Sequence, residues 1–315
     1  MNKKIIFFEN SSEYLDDNDY AMFEKITANT IESLENKIKK SDNNLINTIY
    51  SNAKFIDNLN LNLEGLHIYR TILSNKIYLN RKKTINKDVE FFTENGFLII
   101  DDFLEKQEFN NLRNLFLEKI KPKNSSNHIT RVDGTHFMKR NSNLQQLIKG
   151  CSKINNFLFG QPRVEFWNLV HYDNDPQSKF HSDTFQPTCK FWLFLEDIDA
   201  TKGPFNYVPK SHLLSETRLK WDYENSIMKK DSDIWKKRIQ SGGKPGSFRV
   251  HENSTSEEEK ETLKNMGYKS IEAVGKKNTL VAANTFGFHK RGIAAPQTYR
   301  ETLSIEYRPQ AFWKY

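Results

Sequence analysis

His181-Ser-Asp-Thr-Phe-Gln-Pro-Thr-Cys-Lys-Phe-Trp-Leu-Phe-Leu195 is the stretch from which the rest of the chain can be read. Its second half, Lys190–Leu195, is a short aromatic and apolar run, the length and composition of a buried strand. Its first half is a polar turn that delivers a histidine and an aspartate two residues apart. In an extended segment, residues i and i+2 point to the same side, so His181 and Asp183 are presented together.

Further strands read the same way on either side of this run. Val164–Tyr172 precedes it, and Asn278–Ala283 and Thr302–Tyr307 follow it, with Gly, Pro and Asn between. Short strands broken by a long polar insertion predict a jelly roll, a double-stranded β-helix of the cupin-like kind. Val89–Leu104 reads as a short helix, a turn at Gly96 and a strand. A helix follows, with Phe109, Leu112, Phe116 and Ile120 on one side. Residues 213–270 are highly charged and predict a mobile lid, with Arg218, Lys220, Trp221, Lys229, Lys230, Lys236, Lys237 and Arg238 on a mainly solvated face. From residue 20 to 80 the spacing is helical. Phe23, Ile26, Ile31, Leu34 and Ile38 form one stripe, Leu45, Ile49, Ala53 and Ile56 a second, and Tyr69, Ile72, Leu73 and Ile77 a third. The fold class is therefore α+β, mainly β: a helical N-terminal extension over 1–88 and a jelly-roll domain over 89–315.

Composition excludes several other classes. The 315 residues suit one large domain with an extension as well as two domains of ~150 residues. With 23 Phe, 12 Tyr and 5 Trp, the chain is too aromatic to be disordered. No apolar run approaches the ~18 residues of a membrane span, and the first residues lack the apolar stretch of a secretory signal. Cys151 and Cys189 are the only cysteines, which excludes a disulfide scaffold and suits a reducing cytoplasm. The net charge of +7 comes from intermingled basic and acidic residues, without the basic stripe of a nucleic-acid binder.

Two histidines and a carboxylate on one face of a fold can hold Fe(II) with positions left open. Two His-x-Asp tripeptides occur, His171-Tyr-Asp173 and His181-Ser-Asp183. With eight His in the chain, one such tripeptide carries little weight alone. Context favours the second. It is followed by Gly203-Pro-Phe-Asn-Tyr-Val-Pro-Lys-Ser-His212, then Phe286-Gly-Phe-His289, then Arg300.

In this ordered set, residues 89–315 resemble the phytanoyl-CoA dioxygenase family of Fe(II)- and 2-oxoglutarate-dependent oxygenases. The family shows an Asn-Gly-Phe opening, His-x-Asp, a Pro-Gly-Ser-His segment, a distal His and a later Arg. The resemblance implies that His181, Asp183 and His289 are catalytic and ligate the iron, and that Arg300 pairs with the distal carboxylate of 2-oxoglutarate. Asn168 and Thr184 are further candidates for binding the cofactor, as is His171 for cofactor or substrate. Lys210 departs from the pattern, standing where the family usually has Gly.

The implied reaction uses Fe(II), 2-oxoglutarate and O2 to hydroxylate an unactivated carbon of a small molecule. Succinate and CO2 are released. The charged insertion adds the expectation of an anionic or sugar-like substrate. A halogenase would lack the carboxylate that Asp183 provides. The paired arginines of nucleic-acid demethylases are more closely spaced than Arg300 and Arg308. The reading from a different class is a non-catalytic jelly-roll binding or scaffold protein.

Overall fold

Asp16 starts the first helix. Its carboxylate accepts from the backbone N–H of Asn18 and Asp19, while the Asp19 carboxylate accepts from Asp16 N–H. This reciprocal cap satisfies donors that a helix start leaves unpaired. The computed structural model describes residues 11–41, 59–80, 86–119, 129–134, 141–155, 162–171, 175, 177–227, 248–249 and 256–307. Helix α1 (Asp17–Thr27) ends at Ala28, and α2 (Ile31–Lys39) starts afresh from a Thr30 cap. The expected single stripe is thus shared by two helices, but Phe23, Ile31, Leu34 and Ile38 are all buried. The stripe from Leu45 to Ile56 lies outside the described residues. Helices α3 (Leu59–Leu63) and α4 (Leu66–Asn80) complete the N-terminal layer.

Helix α5 (Lys87–Asn95) stops at Gly96, where φ is 75°, and strand β1 (Phe97–Ile100) begins. A Cβ at Gly96 would stand 2.3 Å from the Tyr207 hydroxyl, so glycine answers both the left-handed backbone and the space. Then come α6 (Lys106–Lys119), β2 (Ile129–Asp133), α7 (Ser142–Asn155), β3 (Arg163–Val170), β4 (His181–Ser182), β5 (Cys189–Phe194) and β6 (Phe205–Tyr207). The chain continues through α8 (Glu216–Ser226), β7 (Phe248–Arg249), α9 (Ser256–Asn265), β8 (Ile271–Ala273), β9 (Leu280–Asn284), β10 (His289–Arg291) and β11 (Tyr299–Tyr307). No helix among the described residues is long and apolar enough to cross a membrane.

The strands form two antiparallel sheets, one in the order β1-β9-β5-β11-β3-β2 and one in the order β7-β4-β10-β6-β8. Alternation along β5 shows how they pack. Phe191 and Leu193 face α6 and α7, in a cluster with Leu112, Phe116 and Leu147. Trp192 and Phe194 face the second sheet and meet Phe205 and Tyr207. One side of the large sheet is therefore roofed by helices, and the other faces its partner sheet across the interior that holds the site.

The expectation of a lid over 213–270 requires correction at its start. Helix α8 is not a solvated flap: Arg218, Leu219, Asp222 and Ser226 are buried, and Leu219 belongs to the core of the N-terminal helices. Charge alone misleads here, because Arg218 is buried with a partner, Asp222, one turn along. Residues 228–247 and 250–255, with Lys229, Lys230, Lys236, Lys237 and Arg238, lie outside the described residues, whereas Lys220 is exposed on α8.

Lys210 keeps the geometry that glycine would give. Its φ is 66°, in the left-handed region, with its N–H bonded to Asn95 O. That conformation costs a non-glycine residue about 1–2 kcal/mol, against roughly 0.5–1 kcal/mol of extra chain entropy for glycine. Its ammonium meets only the exposed Glu94, a pair of little worth. Lys210→Gly is expected to raise unfolding free energy by up to about 1 kcal/mol, read by urea denaturation. A loss of stability would show that Lys210 contributes through its side chain instead.

Candidate metal centre

Strands β4 and β10 pair so that His181 stands opposite His289, with ring centroids 4.5 Å apart. Asp183 follows β4 and is tied to the other segment by its N–H bond to Thr285 O. Its carboxylate stands close to both rings, with Oδ1 3.9 Å from His181 Nε2 and Oδ2 3.6 Å from His289 Nε2.

The tautomers follow from the neighbours. His181 Nδ1 is 2.7 Å from Lys179 O, and His289 Nδ1 is 2.9 Å from Gly287 O. A carbonyl can only accept, so each Nδ1 carries the proton and donates. In the neutral ring, Nε2 is then a bare lone pair, and both Nε2 atoms lie within 4 Å of the Asp183 carboxylate. Burial alone would raise the Asp183 carboxyl. The Lys190 ammonium, joined by His289 and His181 whenever Nε2 of those rings is protonated as well, outweighs it and holds the group well below the usual carboxylate range. Asp183 Oδ2 accepts no hydrogen bond of good geometry, although Lys190 Nζ is 2.6 Å away as an ion pair.

Two lone pairs and one carboxylate, whose buried Oδ2 accepts no hydrogen bond of good geometry, form a donor set suited to a divalent transition metal. All three ligand atoms lie within 4.8 Å of one another. Bonds near ~2 Å allow two donors to stand at most ~4 Å apart, close to this spread.

Beside the three residues is a cavity walled by Trp167, Trp192, Phe194 and Phe205, with Arg300 and Thr302 contributed by β11. Arg300 is buried; its Nη1 donates to Gly203 O, while Nε has no partner. Burial, then the nearby Arg291 charge, pulls Arg300 down to about 9, so it keeps its proton at neutral pH. Arg291 also lines the cavity, but it donates to Asp175 at 2.7 Å and both are buried. Among the described guanidiniums lining the cavity, Arg300 is the one not committed to a carboxylate.

Other expected residues are placed elsewhere. Asn168 is not among the cavity-lining residues; it shares its side of β3 with Val164 and Phe166, which pack beneath the helices. Thr184 is likewise outside the cavity lining, its hydroxyl 3.4 Å from Gln186 N within the turn. His171 bonds through Nδ1 to Ala294 O and does not line the cavity. Asp173 and Arg308 lie outside the described residues. His212 donates through Nε2–H to Thr93 O and braces its turn against α5. The pairings Lys190–Asp183 and Arg291–Asp175 carry no signal in the sequence, since each joins segments that only the fold brings together.

The family model for phytanoyl-CoA dioxygenase matches residues 92–256. That span contains His181 and Asp183 but neither His289 nor Arg300. No curated protein matches the chain. Solved structures to which it is similar include the epimerase SnoN in complex with Fe3+, alpha ketoglutarate and nogalamycin RO. The identity there is 13%, over 71% of this chain and 86% of that one, with a TM-score of 0.45. EctD from S. alaskensis, with 2-oxoglutarate and 5-hydroxyectoine, is 14% identical over 72% and 76%, with a TM-score of 0.44. HygX from Streptomyces hygroscopicus, with nickel and 2-oxoglutarate, is 15% identical over 72% and 88%, with a TM-score of 0.42. Likenesses of this strength assign neither activity nor substrate.

Proposed function

The chain belongs to the phytanoyl-CoA dioxygenase family of Fe(II)- and 2-oxoglutarate-dependent enzymes, and on that premise we propose that it hydroxylates an unactivated carbon of a small molecule at the centre formed by His181, Asp183 and His289. The observation that carries this reading is the pair of bare Nε2 atoms held within 4 Å of one carboxylate. These three residues would hold the iron. When bound, iron with 2-oxoglutarate and O2 supplies the oxidising power to break a strong C–H bond, with succinate and CO2 released.

The rest of the work belongs to the chain. Lys179 O and Gly287 O lock the two imidazoles in one tautomer and one orientation. Arg300 offers its Nε edge to the distal carboxylate of 2-oxoglutarate, whose charge relieves the cost of burying an uncommitted guanidinium. Trp167, Trp192, Phe194 and Phe205 form the apolar walls that orient a target carbon and exclude water. Arg218 and Trp221 give no support to an anionic or sugar-like substrate, since Arg218 is buried away from solvent and Trp221 packs edge-on against Phe288. The two free, buried cysteines support a cytoplasmic location.

Anaerobic addition of Fe(II) and 2-oxoglutarate to the metal-free protein is expected to produce a weak visible charge-transfer band at one equivalent of each. Admission of O2 should then release succinate. A protein that binds neither metal nor keto acid would instead be a jelly-roll binding protein.

A further inference from the structure

Arg218 is completely buried, and all of its guanidinium nitrogens are engaged. Nε donates to Asp222 Oδ2 at 3.1 Å, Nη1 to Ser211 O at 2.6 Å, and Nη2 to Phe286 O at 3.0 Å. The group also lies 4.3 Å from the centre of the Phe286 ring and 4.2 Å from that of Phe288. Arg218 therefore grips Phe286 and Phe288, two of the three residues that lead directly into His289. The same Phe286 carbonyl accepts from Ser182 Oγ at 2.8 Å, and Ser182 stands between His181 and Asp183. One carbonyl thus joins the two segments that carry the three candidate ligands, and Arg218 fixes that carbonyl from behind.

The helix that carries Arg218 is seated by the N-terminal layer. On α8, Arg218 and Asp222 are one turn apart on the side of Phe286 and Phe288. Leu219 and Tyr223, also one turn apart, face the N-terminal helices. Leu219 is buried in their core, and Tyr223 donates to Leu63 O at 3.0 Å. The N-terminal layer reaches the other ligand segment too. Arg70 of α4 lies 3.8 Å over the ring of Phe185, two residues beyond Asp183.

We propose that Arg218 is a positioning residue for the metal centre, and that the N-terminal helices, through α8, form the backing that sets the spacing of His289 against His181 and Asp183. The inference rests on the reading of those three residues as metal ligands. A planar guanidinium can bond two carbonyls and a carboxylate at once; an ammonium on a flexible stem cannot reproduce that fork.

The test is a titration of the full-length metal-free protein with Co(II), followed by visible absorption, alongside thermal unfolding without metal. Arg218→Lys is expected to weaken Co(II) binding at least tenfold and to change the shape of the saturated Co(II) spectrum. Ile154→Val, in α7 on the far side of the large sheet and outside that backing, serves as the comparison. It should lower the melting temperature and leave both Co(II) readouts unchanged. If Arg218→Lys lowers the melting temperature with the same affinity and spectrum as the parent, Arg218 is only structural and the proposal fails. Should Arg218→Lys not fold, Asp222→Asn decides on the same readout: a threefold weaker affinity supports the proposal, and an unchanged one overturns it. A parent protein that binds no Co(II) overturns the metal-site reading itself, which is a separate outcome.

Discussion

Asp183→Ala is expected to yield a folded protein that retains no iron and forms no succinate. The carboxylate is the anionic member of the set and lies within 4 Å of both Nε2 atoms. Loss of a partner one shell further out typically weakens metal binding roughly 10–100-fold, so loss of a ligand should exceed ~100-fold, or about 2.7 kcal/mol. Folding should survive. Lys190 loses its closest partner but keeps Glu306 at 3.5 Å, and its side chain retains some contact with solvent. Metal content after anaerobic reconstitution and far-ultraviolet circular dichroism read the two effects separately. Asp173→Ala, in the other His-x-Asp tripeptide, should keep most of the activity. Equal losses in both variants, with folding intact, would mean that the wrong tripeptide has been assigned to the metal.

The contrast between these aspartates shows what a sequence can carry. Local periodicity is legible: the β5 run, the Gly96 turn and the buried side of α6 all follow from spacing and residue type within a few positions. Alternation along β3 also separates Val164, Phe166 and Asn168 from Trp167 and Leu169. What alternation lacks is the identity of each side, which depends on where α6 and α7 pack. The side on which Asn168 stands is therefore not legible from the strand alone. The burial of Arg218 is hidden for a related reason. Asp222 at i+4 is visible, but the carbonyls of Ser211 and Phe286 reach it only through folding. Likewise β11 starts at Tyr299, so Arg300 lies inside a strand and not ahead of one. Its register partner is Leu169, and Thr302 pairs with Trp167, which puts Arg300 on the cavity side.

Arg300→Met should separate stability from function more sharply than any other single change at this site. In the ligand-free protein, Arg300 is a buried cation with an unpartnered Nε, pulled down to about 9 by burial and by Arg291. An apolar side chain of similar reach removes that desolvation cost, so unfolding free energy should stay level or rise. Keto-acid affinity of the metal-loaded protein should fall at least about tenfold, the ~1.4 kcal/mol expected for loss of a paired charge and its hydrogen bonds. Linkage makes this measurable by melting alone. At 100 times the parent dissociation constant, 2-oxoglutarate should stabilise the parent by about 2.7 kcal/mol and the variant by only about 1.4 kcal/mol. Arg291→Met should behave in the opposite sense. It strands the buried Asp175 carboxylate, at a cost of about 3–5 kcal/mol, and leaves keto-acid binding by the folded protein largely intact. If Arg291→Met instead abolishes keto-acid binding while Arg300→Met does not, then the Asp175 pair opens on binding and Arg291 is the anchor.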